Sequence, residues 1–149
     1  MDLDSLINKF SLPSKEVLEN ELGSLHFDED DDIIESLIKS LRDKISKYIQ
    51  FMEDLLQPDS SLISLQESNT LSEMERDKLF SLFKKTVLIH RTYLKIYLRS
   101  DFEDKVSYFK KLFYEWQSLK DPLMIFANKA VDSWKDSDSE DNTRQNYFG

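Results

Sequence analysis

The stretch that most constrains the fold runs from Leu79 to Leu98 and reads LFSLFKKTVLIHRTYLKIYL. Its apolar side chains recur at steps of three and four in two adjacent registers. The first register contains Phe80, Phe83, Val87, Leu94 and Tyr97 with His90, and the second contains Leu79, Leu82, Ile89, Tyr93 and Ile96. Two adjacent registers make a wide apolar surface, so the pattern predicts a helix with neighbours on more than one side. One narrow strip is basic and consists of Lys84, Arg91, Lys95 and Arg99.

A second long helix is predicted from about residue 31 to residue 57. Its apolar residues alternate steps of four and three over three heptads: Ile34, Ile38, Leu41, Ile45, Tyr48, Met52 and Leu55. After a connection over residues 58–69, Thr70 and Glu73 match a capping box, which predicts that the central helix runs from about Leu71 to Arg99. Two long helices with a short connection between them pack antiparallel.

Two further main helices are predicted on the C-terminal side. Ser100 and Glu103 match a second capping box, and the helix after it continues to Lys120. Asp121-Pro122 then predicts a new helix start with proline at the first helical position, and this last helix ends near residue 135.

Amphipathic patterns over residues 2–10 and 14–22 predict one or two short N-terminal helices, which need a surface to dock on. The predicted fold is therefore all-α, an antiparallel helical bundle of four main helices plus one or two short N-terminal helices, over residues 1–135. Residues 136–149, DSDSEDNTRQNYFG, are predicted to form an acidic, Ser-rich flexible tail.

The composition argues against several classes of protein. Two glycines and three prolines in 149 residues favour long helices over sheets and tight turns. The absence of cysteine excludes disulfides and thiolate chemistry and is typical of an intracellular protein, either cytoplasmic or nuclear. The first residues lack the pattern of a secretory signal, and no apolar run approaches the roughly 20 residues that span a bilayer, so no membrane partner is expected.

Charge is distributed unevenly along the sequence. Residues 1–70 have a net charge of −10, residues 71–135 of +4 and residues 136–149 of −3, which gives −9 in total. One interpretation is that the acidic half packs against the basic half within one chain. The other is that the basic part presents a face to an acidic partner or to nucleic acid.

The sequence offers little for catalysis. Only His26 and His90 could serve as imidazole bases, and no metalloprotease, phosphate-loop or dinucleotide motif occurs. His90 lies in the apolar seam without a carboxylate four residues away, so we expect a structural histidine. The acidic run over residues 28–32 lacks the alternating ligands and glycine of a calcium-binding loop. No catalytic residue, metal site or cofactor is predicted, although a small helical-bundle enzyme with a site near His90 stays open as an alternative.

The basic strip is the best functional lead, as a site for an acidic partner or another anion. Its four members, Lys84, Arg91, Lys95 and Arg99, follow one side of the central helix. The competing interpretation pairs them with acidic side chains of the first long helix, such as Glu35, Asp43 or Glu53. Nucleic acid is the less favoured ligand because the whole chain is acidic and Lys110 and Lys111 belong to another helix.

The ten residues HRTYLKIYLR, from His90 to Arg99, resemble the arginine-bearing long helix of subunits of the GINS replication complex. No family is assigned from this short resemblance; it implies a subunit of a nucleic-acid-associated complex of the replication or chromatin type, which is kept as an alternative function. The function predicted from the sequence is a non-enzymatic protein–protein interaction or scaffold subunit. Surplus apolar surface on the long helices predicts that it self-associates as a homodimer, or else binds a different protein.

Overall fold

The fold is described from a computed structural model that covers residues 1–98 and 101–135. Within these residues the chain forms helices and no strand, which confirms the all-α prediction. The helices are α1 Leu3–Phe10, α2 Lys15–Leu22, α3 Ile33–Leu56, α4 Leu62–Ser68, α5 Glu73–Arg91, α6 Tyr93–Leu98 and α7 Phe102–Asp132. Arg99, Ser100 and the predicted tail over residues 136–149 lie outside the described residues.

Three long helices, α3, α5 and α7, pack against one another and enclose the core. Contacts between their ends give the directions. Arg76 near the start of α5 donates to the Leu55 carbonyl at the end of α3 (3.2 Å), whereas the His90 carbonyl near the end of α5 accepts from Arg42 in the first half of α3 (3.3 Å). Helix α5 is therefore antiparallel to α3. Tyr108 near the start of α7 donates to the Ile89 carbonyl at 3.0 Å, so α7 is also antiparallel to α5.

Helix starts follow the sequence closely where a side chain caps the backbone. Asp32 accepts from the Glu35 amide at 3.1 Å, so a carboxylate of the acidic run stabilises the positive end of α3. The capping box of α5 is formed by Ser72 and Glu75 rather than by the predicted Thr70 and Glu73. The sequence matches the capping-box pattern twice, at positions two residues apart. The Thr70 hydroxyl instead donates to the Glu67 carbonyl at 2.7 Å.

The predicted central helix is interrupted near its C-terminal end. Helix α5 ends at Arg91, Thr92 forms a turn, and α6 begins at Tyr93. The Thr92 hydroxyl donates to the Leu88 carbonyl at 2.7 Å, a local bond that competes with helix continuation. The apolar pattern spans the interruption, which is why it predicted one helix.

The prediction of four main helices is wrong in one respect, because α7 continues through Pro122 where a new helix was expected. The buried residues keep their helical spacing across the proline, from Trp116 and Leu119 to Leu123 and Phe126. Ser118, whose carbonyl loses its amide donor, is exposed and can be hydrated. Continuous burial therefore outweighs the local start signal, and the described residues form three long helices.

The short helices pack on this three-helix core. Phe10 of α1 meets Phe102 of α7 with ring centroids 5.5 Å apart, and Leu18 of α2 is completely buried. Both N-terminal helices therefore dock on their own chain. Helix α4 packs through its serines, and the Ser68 hydroxyl donates to the Leu55 carbonyl at 2.8 Å. Its leucine at position 62 is left exposed.

Candidate partner-binding surface

The two apolar registers of the central helix have different environments. Leu79, Leu82 and Ile89 of the second register are buried in the core. Side chains near the opposite side of α5 are exposed; they come from the first register, from the basic strip and from two leucines outside both registers. We call this surface the outer face: Phe80, Lys84, Leu88 and Arg91, continued on α6 by Leu94, Lys95 and Leu98. The outer face thus mixes large apolar side chains with cations. Contact with water alone does not explain such a group of exposed apolar side chains, and surfaces of this kind often bind a partner.

The described members of the predicted anion site, Lys84, Arg91 and Lys95, are all exposed, and Arg99 lies outside the described residues. Among the residues that the structure describes, no carboxylate lies within ion-pair distance of these three. The competing interpretation, in which acidic side chains of the first long helix pair with the strip, is therefore wrong for these three residues. Lys84 instead places its ammonium 4.9 Å from the centre of the Phe80 ring.

A groove runs beside the outer face, between α5 and α7. Two adjoining cavities of about 70 and 190 Å³ share Leu88, Ile89 and Glu115 in their walls, and we call them together the α5–α7 groove. The remaining wall residues are Lys85, Thr92, Tyr108, Lys111, Leu112, Ser118 and Leu119. The groove connects Lys111 of α7 to the basic side of α5, which sequence reasoning had treated as separate.

His90, the alternative catalytic residue, lies where α5 ends. Its side chain is half-buried, and burial, with a contribution from the Arg42 charge, lowers its pKa below the ordinary value. The neighbouring polar side chains bind the backbone rather than the imidazole: Arg42 and Tyr108 both donate to the His90 carbonyl, at 3.3 Å each. The Ile89 carbonyl also accepts from Tyr108, and both carbonyls lie in the last turn of α5, so Arg42 and Tyr108 cap a helix end. Burial also raises the pKa of Tyr108 to about 12.

A second polar cluster joins α3 to the interruption. Tyr93 donates to Glu35, and Lys105 of α7 forms an ion pair with Glu35 at 3.0 Å. Burial opposes the charge of Glu35, but the hydrogen bonds from Tyr93 and Lys105 outweigh it and lower its pKa. The Arg42 guanidinium lies 4.4 Å from the centre of the Tyr93 ring. Glu35 is thus occupied within the chain and unavailable to the basic strip.

Glu21 is the most deeply buried carboxylate described, and sequence reasoning missed it. It accepts hydrogen bonds from Lys44 of α3 (3.1 Å) and from Lys120 and Trp116 of α7. Burial alone would raise its pKa, but these three donors lower it to about 2. Its burial could have been predicted, because the spacing Leu18–Glu21–Leu22 puts Glu21 on the apolar side of α2.

An acidic cleft of about 820 Å³ lies between the N-terminus and the loop before α3. Asp2, Asp4 and Asp28 line it together with His26. Among residues 1–98 and 101–135, no group of three or more His, Cys, Asp and Glu side chains is arranged to hold a metal ion. In the same part of the chain, no helix combines the length and apolar composition needed to cross a membrane.

Comparisons of the chain with known protein families, with curated proteins and with solved structures find no match. The outer face and the groove beside it are therefore interpreted from their own chemistry.

Proposed function

We propose that this chain is a non-enzymatic interaction or scaffold subunit that binds another protein through the outer face of α5 and α6, and that it also self-associates. One observation carries the proposal: large apolar side chains and unpaired cations share that exposed face. Leu88 is 68% exposed and Leu98 is 86% exposed, although each could have been replaced by a polar residue without loss of core packing. Burying such side chains against a partner is favourable at ~25 cal/mol per Å². An intracellular location is part of the same proposal.

Photo-crosslinking in cells tests the outer face directly. A benzophenone side chain replaces Phe80, which is half-exposed, and in a control variant it replaces Val17 on α2, which is exposed to a similar extent. We expect a discrete adduct from position 80 and none from position 17. Equal adduct formation at both positions, or none at either, would contradict the assignment of this face.

A nucleic-acid-associated complex is the second candidate, and the exposure of Lys84, Arg91 and Lys95 favours it. Lys111 adds a fourth cation across the groove. Direct binding to duplex DNA would fall steeply with salt, and removing a contacting lysine would reduce the slope by about one. Fluorescence anisotropy of a labelled duplex at several salt concentrations, with the wild type and Lys84→Gln, distinguishes this function from binding to a protein.

A further inference from the structure

The α5–α7 groove is as long as a short helix. Its α7 wall extends from Tyr108 to Leu119, about 16 Å at ~1.5 Å per residue, which is about three helical turns. Its apolar floor comes from Ile89, Leu112 and Leu119, all buried, and Leu88 stands at the rim. The floor is part of the bundle core, so the groove is a preformed feature of the packing of α5 against α7.

The rims of the groove carry positive charge. Lys85 lies on the α5 side and Lys111 on the α7 side. The only carboxylate among the wall residues, Glu115, is 3.8 Å from the Lys111 ammonium in an exposed pair that is weak. Arg91 on the adjacent outer face increases the local excess of cations, while the whole chain has a net charge of −9.

We infer that the α5–α7 groove binds an amphipathic helix with an acidic polar side, supplied by a protein partner. Apolar side chains of that helix, at spacings of three and four, would lie over Leu88 and the floor. Its carboxylates would lie beside Lys85 and Lys111, and those of its outward edge beside Arg91. This inference rests on the proposed interaction function and adds the chemistry of the partner.

Two features favour an acidic helix over nucleic acid. A duplex carries about one charge per 1.7 Å and extends far beyond 16 Å, so it would meet the acidic surface of this chain as well. The apolar floor and Leu88 give a phosphate backbone nothing to bind, whereas a leucine or phenylalanine from a helix can fill the groove. The length of the groove and the composition of its walls therefore favour a short acidic helix as the occupant.

The test uses a fluorescein-labelled 16-residue peptide with leucine at helical spacings of three and four, glutamate on the flanking positions and alanine elsewhere. We expect the full chain to bind it, and Leu88→Ser to weaken binding about five- to tenfold because an apolar contact is lost. Lys111→Glu should weaken it similarly. Leu88 and Lys111 are both exposed, so neither change is expected to unfold the protein. Circular dichroism checks that both variants are folded.

Matched controls use residues outside the groove. Met74→Ser removes a side chain on the same helix with the same 68% exposure as Leu88, and Lys39→Glu reverses an exposed charge on α3. Both variants should bind like the wild type. A peptide with lysine in place of glutamate should not bind.

Several outcomes would overturn the inference. Equal weakening by Met74→Ser, equal binding of the lysine peptide, or tighter binding of an oligonucleotide or of anionic vesicles would each do so. If the acidic peptide fails to bind while the crosslink from position 80 persists, the interaction function stands and the partner chemistry is wrong. If the crosslink fails as well, the proposed function fails with it.

Discussion

Glu21 shows how one side chain joins three helices. It belongs to α2, a helix of eight residues that could not be stable alone. Its carboxylate is bound by Lys44 of α3 and by Lys120 and Trp116 of α7, so α2 is fixed to both long helices at once. A buried carboxylate is tolerated here because each oxygen has a donor.

We expect Glu21→Gln to lower the free energy of unfolding by about 1.5–3 kcal/mol at pH 7, the usual range for hydrogen bonds to a charged group. The pKa of Glu21 is lowered to about 2 in the folded state, from an ordinary value of 4.5. Its stabilisation is thus fully present above pH 4.5 and is lost as the pH falls towards 2. Urea unfolding at pH 7 and pH 3 should show the difference between wild type and variant shrinking at low pH.

The control for Glu21 is Glu53→Gln, since Glu53 is an exposed carboxylate on α3. Glu53→Gln should leave the free energy of unfolding nearly unchanged at both pH values. A pH-independent difference for Glu21→Gln would mean that the lost stability comes from packing rather than from the charge.

His90→Gln should cost stability without removing partner binding, because His90 lies at a helix end and away from the outer face. Burial and Arg42 lower the pKa of His90, so the unfolded chain binds the proton more readily than the folded one. The wild type should therefore lose stability as the pH falls below about 6.5, and His90→Gln should lose less. Urea unfolding at pH 7.5 and 5.5 measures the difference in stability, and His26→Gln, at an exposed histidine, is the control. If His90→Gln folded normally but lost an activity, the structural role of His90 would be contradicted.

At the scale of the elements, periodicity predicted where helices form better than which side of each is buried. The bounds of α3 and the two N-terminal helices follow from apolar spacing and from Asp32, Ser14 and Gly23 at their ends. Phe80 and Leu82 are equally apolar, yet Phe80 is half-exposed and Leu82 is buried. The choice between registers depends on where the neighbouring helices lie, and the sequence of one helix does not contain that information.

The candidate surface was predictable only in part for the same reason. The alignment of Lys84, Arg91 and Lys95 follows from helical geometry, but their lack of acidic partners depends on which side of α5 is buried, and that side carries Leu82 and Ile89 instead. The groove joins residues of α5 and α7 that are more than twenty positions apart, such as Leu88 and Lys111. Only the packing of two helices brings them together.

Pro122→Ala distinguishes a continuous α7 from the two helices that the sequence suggested. A proline inside a helix costs ~3 kcal/mol relative to alanine, and the greater entropy of the unfolded alanine chain offsets part of that gain. We therefore expect stabilisation of about 1–2 kcal/mol and a higher melting temperature. Pro58→Ala, in the loop after α3, should be neutral or slightly destabilising. An unchanged or lower stability for Pro122→Ala would favour a helix start at this proline.

At the scale of the whole molecule, the intramolecular interpretation of the charge asymmetry holds for some of the basic residues. Lys105 and Lys120 of the basic half pair with Glu35 and Glu21 of the acidic half and hold the bundle together. Lys84, Arg91 and Lys95 form no such pair with any carboxylate of residues 1–98 and 101–135. The internal pairs thus leave a localised basic and apolar face on an acidic protein, which favours a small acidic partner over a long polyanion.

The proposed homodimer needs a different surface, because a two-fold axis places a patch against itself. The outer face would bring Lys84 and Arg91 close to their own copies, and like charges repel. Helix α4 exposes Leu62 to 82% and Ile63 to 64%, and Glu67 is its one charged residue. We therefore expect light scattering at micromolar concentration to give about twice the 17.7 kDa of one chain. The double change Leu62→Ser and Ile63→Ser should give a monomer, and Leu88→Ser should remain dimeric; a wild-type mass of one chain would exclude the homodimer.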